Sequence, residues 1–327
     1  KNGKAVFEIE NLTAGTKTIA VDYDGDDNYV ANHTTGKITI SKRPSTVSAT
    51  ITDIKVGENV TITVTVPDDA TGQVLIDIDG VGYYVNVTDG KGVAQIPRMP
   101  NGIYDVNMTY TGDDKYLPSS NKASFDVNKV QSFVIPTAED IYVGNPETIT
   151  LTVPEDATGT VTVVIDGKEY IFNMNDGTLT ASDGGAEMYS VAVSGGNGKL
   201  VIFGLPKGEY IVSVKYNGDD KYLPSTNTTV FRVFKSDTSV DVIDLGNGTV
   251  EVRVGDNATG TVEIIVDGQT YNATVVNGTA VIELTNVSSG THDIEVIYSG
   301  DDSHQGKTVH SSVVIPADDC PISVSDD

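Results

Sequence analysis

Tryptophan is absent from this chain of 327 residues, cysteine occurs once and histidine four times. A lone Cys320 permits no disulfide within the chain, which excludes the paired cysteines and buried tryptophan of antibody-type domains. The histidines, His33, His292, His304 and His310, stand in neither a metal-binding nor a triad-like spacing. Basic residues are also scarce, 21 Lys and Arg against 46 Asp and Glu. The resulting net charge of −25 argues against nucleic acid as a partner, because phosphate binding needs clustered cations. No apolar run reaches the roughly 18 residues of a membrane span. No segment shows capped helical periodicity, so almost no helix is expected.

What the chain does have is repetition. Tyr23-Asp24-Gly25-Asp26-Asp27, Tyr110-Thr111-Gly112-Asp113-Asp114, Tyr216-Asn217-Gly218-Asp219-Asp220 and Tyr298-Ser299-Gly300-Asp301-Asp302 share one pattern, each beginning eight residues after a glycine, at Gly15, Gly102, Gly208 and Gly290. Successive turns lie 87, 106 and 82 residues apart, too far for a solenoid and close to the size of one β-sandwich. A second block, Ala70-Thr71-Gly72, Ala157-Thr158-Gly159 and Ala258-Thr259-Gly260, begins nine residues before an Asp-Gly in each case, at Asp79, Asp166 and Asp267.

In the last complete repeat, alternating apolar residues predict strands over 238–242, 249–254, 260–266, 270–276, 280–284, 292–298 and 309–314, separated by Asn-Gly, Asp-Gly and Ser-Gly turns. Seven short strands in about 80 residues predict an immunoglobulin-like sandwich. The predicted fold is therefore all-β, with tandem immunoglobulin-like modules at 44–128, 129–235 and 236–317. Residues 1–43 read as the last three strands of a module and 318–327 as the first strand of another. The sequence thus reads as a window on a longer array, with any signal or anchor outside it. The junctions near 42–44, 128–131 and 234–237 are short, which predicts a semi-rigid rod.

From Ala to Tyr the spacing is 40 residues in the first and third complete modules and 59 in the second. The added residues fall within 174–197 and include Met174, Asp183, Met188 and Tyr189, a candidate ligand loop held out by a rigid scaffold or a spare hairpin extending a sheet.

All four turns keep both carboxylates: Asp26 and Asp27, Asp113 and Asp114, Asp219 and Asp220, Asp301 and Asp302. The first Asp suits an Asx turn and needs no ligand. The second has no such duty, and the pairs are candidate Ca²⁺ ligands if backbone carbonyls complete the shell. His292 shares its slot with Tyr104, Tyr210 and Lys17, and His304 with Tyr29, Tyr116 and Tyr222, which points to packing rather than catalysis. Tyr23, Tyr110, Tyr216 and Tyr298 read as core or turn supports. Tyr83, Tyr84, Tyr170 and Tyr189 do not all recur and are better candidates for a surface role. Thr238 and Gln305 are an imaginable pair for a Thr–Gln ester staple.

Acceptor sequons for N-glycosylation occur at Asn11, Asn32, Asn59, Asn86, Asn107, Asn227, Asn247, Asn257, Asn272, Asn277 and Asn286, which is 11 of 21 asparagines. Chance placement of the 60 Ser and Thr would give about 4, so the excess points to a translocated glycoprotein. The competing explanation is that turns favour Asn while strands favour Thr.

The stretch from Gly290-Thr291-His292 to Tyr298-Ser299-Gly300-Asp301-Asp302, with its sister from Pro206-Lys207-Gly208 to Gly218-Asp219-Asp220, resembles the final hairpin of bacterial Ig-like (Big) repeat domains. Acidic, Thr- and Asn-rich arrays of this kind are similar to adhesin-like surface proteins of methanogenic archaea. The resemblance implies an extracellular, cell-attached, non-catalytic protein: an adhesin or adhesin stalk that meets another cell surface, a glycan or neighbouring copies of itself. A structural element of a wall fibre or sheath, and a spacer in a large extracellular enzyme, stay open as alternatives.

Overall fold

The computed structural model describes residues 3–181, 188–189 and 195–317, and they contain strands and turns with no helix. The chain divides into two compact units, 1–131 with 220–223 and 132–219 with 224–327.

The first unit opens with a hairpin of β1 (Gly15–Tyr23) and β2 (Asn32–Ile40), paired from Gly15 with Ile40 to Tyr23 with Asn32. Of the three strands expected in residues 1–43 these two are seen, and residues 4–10 join no ladder.

That module comprises β3 (Ser48–Thr50), β4 (Ile54–Lys55), β5 (Val60–Thr65), β6 (Gln73–Ile78), β7 (Val81–Asn86), β8 (Lys91–Ile96), β9 (Gly102–Tyr110) and β10 (Ser119–Asn128). One sheet has the order β3-β5-β8, the other β4-β10-β9-β6-β7. In β5 the sequence Val-Thr-Ile-Thr-Val-Thr turns Val60, Ile62 and Val64 inward and the threonines outward, a period of two that commits one face to the core. Val74, Ile76, Val106, Met108 and Tyr110 meet them from the second sheet. Each such aliphatic side chain contributes about 1.5–3 kcal/mol on burial. Between β6 and β7, Asp79 and Gly80 take φ of 51° and 83°, the conformation of a two-residue hairpin turn that only Gly, Asn or Asp adopts readily.

The second unit holds two further sandwiches. In the first, Ile135–Thr137, Glu147–Thr152, Asn197–Ile202 and Met188–Tyr189 form one sheet in that order. Ile141–Tyr142, Ser225–Phe234, Gly208–Tyr216, Thr160–Ile165, Lys168–Asn173 and Leu179–Ala181 form the other. In the second sandwich, Asp241–Gly246, Thr249–Arg253 and Thr279–Glu283 face Gln269–Thr274, Thr261–Val266, Gly290–Tyr298 and Lys307–Ile315. These are the seven expected strands, with the first displaced from 238–242 to Asp241–Gly246. Asn247 and Gly248 (φ 55° and 72°) turn the chain tightly, so pairing runs up to the turn and not before it. The Asp244 carboxylate accepts the Val314 N–H, as Asp53 and Asp140 accept the N–H groups of Asp126 and Arg232 in the other complete modules, where a short parallel strand follows.

Candidate functional site

The two repeated sequence blocks are two halves of one structure. The Asp113 Oδ2 accepts the Thr71 N–H at 2.8 Å and its hydroxyl at 3.2 Å, while Oδ1 accepts the N–H groups of Lys115 and Tyr116, both at 2.7 Å. The Tyr110 hydroxyl donates to the Thr71 carbonyl at 2.7 Å. Asp301 repeats this with Thr259, Ser303 and His304, and Tyr298 donates to the Thr259 carbonyl. Asp219 takes the Thr158 N–H at 2.7 Å, and Tyr216 donates both to the Thr158 carbonyl and to Asp219. The glycines complete the fit: a Cβ on Gly72, Gly159 or Gly260 would lie 3.1, 2.4 or 2.6 Å from the carbonyl of Gly112, Gly218 or Gly300. In the N-terminal hairpin Asp26 keeps its local half, accepting from Asn28 and Tyr29.

Burial by itself would raise the Asp113 carboxyl, but the N–H groups of Thr71, Lys115 and Tyr116 outweigh it and hold the group down to about 2. Asp301 is likewise held well below the carboxylate range against its burial, by Thr259, Ser303 and His304. Burial, then the neighbouring Asp301, pushes the Tyr298 phenol up to about 12. These groups do not change protonation near neutral pH, so the arrangement is a clasp and not an acid–base pair.

The second aspartates, Asp27, Asp114, Asp220 and Asp302, are exposed. Among the described residues no group of three or more His, Cys, Asp or Glu is gathered for one ion. A cation at these turns would draw on the second carboxylate, backbone carbonyls and water.

Lysines reinforce the clasp from the start of a module. Lys42 Nζ donates to the Asp113 carbonyl and Lys235 Nζ to the Asp301 carbonyl. The segment leading into the first strand is further tied to the last strand by Ser45 to Ser119 and by Ser132 to Ser225, both at 2.8 Å. The Thr238 hydroxyl does the same through the Gln305 main-chain carbonyl at 2.7 Å. The Gln305 side chain turns instead to the Lys235 carbonyl, so hydroxyl and amide have different partners and no ester staple is set up.

His292 occupies the tyrosine slot in contacts as well as in sequence. Tyr104, Tyr210 and His292 each donate to the carbonyl four residues earlier, at Pro100, Pro206 and Ser288, and Lys17 donates to the Thr13 hydroxyl. Tyr104 stacks on Phe125 and Tyr210 on Phe231, with centroids 5.5 and 5.1 Å apart. Of the tyrosines read as surface candidates, Tyr84 is 68% exposed, but Tyr170 is buried because its strand turns it inward opposite Val163. Tyr83 packs against the core.

Asn107 is half-buried and the other ten sequon asparagines are exposed. Five of them, Asn11, Asn247, Asn257, Asn277 and Asn286, have φ between 48° and 63°, a left-handed conformation that favours Asn whether or not a glycan is attached. The Asn227 amide donates to the Val134 carbonyl, as Asn121, which is no sequon, donates to Val47.

The insertion is used by both sheets. Leu179–Ala181 adds a strand beside Lys168–Asn173, and Met188–Tyr189 adds one beside Asn197–Ile202. Met174 is half-buried and its N–H reaches the Gly159 carbonyl, whereas Asp183 lies outside the described residues.

The fold and the clasp define an array of immunoglobulin-like sandwiches whose recurrent polar residues serve the scaffold. The family model for the bacterial Ig-like domain (group 3) matches residues 46–128 and 235–315, and the chain belongs to this family. Such domains are typically extracellular or surface-associated and non-catalytic. No curated protein matches the sequence. Similar solved structures include a tandem from titin, at 11% identity over 83% of this chain and 99% of that one, TM-score 0.28. Sidekick-1 immunoglobulin domains 1–5 match at 11% identity over 92% of this chain and 66% of that one, TM-score 0.30. The Bacteroides ovatus mixed-linkage glucan utilization locus protein SGBP-B, in complex with a mixed-linkage heptasaccharide, matches at 17% identity over 80% and 65%, TM-score 0.19.

Proposed function

We propose that the chain is part of an extracellular adhesin or adhesin stalk, which presents immunoglobulin-like modules from a cell surface to another cell, a glycan or neighbouring copies. The observation that carries this reading is the repeated clasp. The polar residues that recur from module to module hold each module together, so repetition of the scaffold is the property the chain has in excess. Repeated modules raise effective concentration at a surface without new chemistry. Exposed sequon asparagines and a net charge of −25 suit a solvated, glycan-bearing exterior. The modules supply position and not catalysis.

Protease treatment of intact source cells tests localisation: peptides of this chain should be released before any cytosolic marker. Release only on lysis would sink the reading. Beads coated with the chain should then adhere to a panel of cells and glycans, and equal adhesion by beads coated with an unrelated acidic protein would remove the adhesive role. Glycopeptide mass spectrometry should find Asn272 modified before Asn227, whose amide nitrogen already donates to the Val134 carbonyl.

A further inference from the structure

The outer face of one sheet carries fewer acids along its middle strands than its equivalents. In the module of 44–128, the outward positions of β6, β9 and β10 include Asp77, Asp105 and Asp126. In the last sandwich they include Glu263, Asp293 and Glu295, with Ile265 in the slot of Asp77. In the sandwich between them in sequence, the slots of Asp77 and Asp105 hold Val164 and Ile211, and that of Ser124 holds Val230. Ile211 lies directly opposite Val230 and is 59% exposed, Val230 49%, with Val164 on the diagonal. Thr162, Ser213 and Thr228 continue the lane, and none of these six positions holds an acid on a chain of net charge −25; the carboxylates of this face stand at its margins, Glu169 opposite Val164 on the next strand and Glu209 at one end.

We propose that this face is a self-association surface, on which a second copy of the chain docks with its own equivalent face. Two strongly acidic copies repel through most of their surface, and this lane lets them meet without opposed carboxylates. At one end, Arg232 and Glu209 form a cross-strand pair at 2.9 Å. A two-fold axis running along the lane, between Gly208–Tyr216 and Ser225–Phe234, brings each Arg232 over the other copy's Glu209, so the rim is self-complementary, as an isologous contact requires. Short aliphatic and hydroxyl side chains interlock face to face as the inner faces of a sandwich do. A sugar would want an aromatic platform, which the lane lacks. The three strands of the lane, about 4.8 Å apart and about six residues deep, give a footprint on the order of 300 Å² per copy, which makes a weak contact suited to many copies on one surface. The proposal does not rest on the adhesin reading, because it concerns the chain in solution.

Sedimentation velocity of the whole chain over about 1–500 µM reads it directly. A monomer–dimer equilibrium is expected, and it should tighten as salt screens the net charge. The double variant I211D/V230S restores the residues that the 44–128 module carries in these slots, so the fold tolerates them. It should weaken association at least about tenfold, equivalent to 1.4 kcal/mol. In a C320S background, V230C should cross-link under oxidation while S124C, in the same slot of the other module, should not. A chain monomeric at every concentration and salt, an unchanged dimer in I211D/V230S, or equal cross-linking by S124C would each overturn the proposal. Unchanged unfolding curves keep a lost dimer from being mistaken for a lost fold.

Discussion

Thr71 and Asp113 are 42 residues apart in sequence, yet the Thr71 N–H and hydroxyl both end on one oxygen of the Asp113 carboxylate. The other oxygen of the same group closes the turn that follows. One ionised side chain thus joins a turn at the start of β6 to the hairpin of β9 and β10. Charge-assisted bonds of this kind are about twice as strong as neutral ones.

The two aspartates of the turn should therefore behave differently. Asp113→Ala leaves the Thr71, Lys115 and Tyr116 donors unpaired and should destabilise its module by about 3 kcal/mol. Asp114→Ala, at an exposed position, should change stability by less than about 0.5 kcal/mol. Hydrogen exchange followed by mass spectrometry on the whole chain, which reports each module separately, distinguishes them. Equal loss of protection would show that the clasp is not set by the first carboxylate.

Acid should release the clasp in a narrow window. A carboxyl depressed in the fold, about 2 for Asp113 against about 3.9 when unfolded, contributes stability that is fully present above the unfolded value. That contribution is lost as pH falls from about 4 through about 2. Thermal melts should therefore fall across this interval, and Asp113→Asn should flatten the part that belongs to the 44–128 module. A melt for this module that keeps its full acid dependence in the variant would contradict the assignment.

The turns and the strand alternation were legible because they are local: Gly sets the turn, and Val-Thr-Ile-Thr-Val alternates with the pleat. Both halves of the clasp were visible as repeated words. Their contact was not, because nothing in one chain says which turn a carboxylate reaches across 42 residues. Tyr170 was misplaced because strand parity, and not recurrence, decides which tyrosine faces the core. The insertion read as a loop or a spare hairpin because its strands are too short to show a period, and they go to two different sheets.

Close backbone approach makes the clasp glycines harder to replace than the hairpin glycines. Gly167 has φ of 76° and open space around its Cβ position, so Gly167→Ala should cost only the conformational strain, about 1 kcal/mol. Gly159 has a similar φ of 80°, but a Cβ there would meet the Gly218 carbonyl at 2.4 Å. Gly159→Ala must move one turn away from the other, and a loss of about 3 kcal/mol or more is expected. Denaturant midpoints of the two variants give the comparison directly. Similar midpoints would mean that the turns are not in tight contact.

Glu147 shows the opposite electrostatic sign. It is buried at the strand position that Val60 holds in the preceding module, opposite Ile202 as Val60 is opposite Ile96. Burial raises its carboxyl, and the Glu139 N–H that Oε1 accepts only partly offsets this. A carboxyl raised in the fold stays protonated where the unfolded chain has already ionised. The fold is therefore most favoured below the unfolded value of about 4.3, and that advantage is lost as pH rises through the higher folded value. Glu147→Gln keeps an acceptor for Glu139 without the charge. It should stabilise this module at pH 7 by about 1 kcal/mol and make no difference near pH 4. If the variant were less stable at pH 7, the buried carboxylate would have to be making a favourable ionic contact instead.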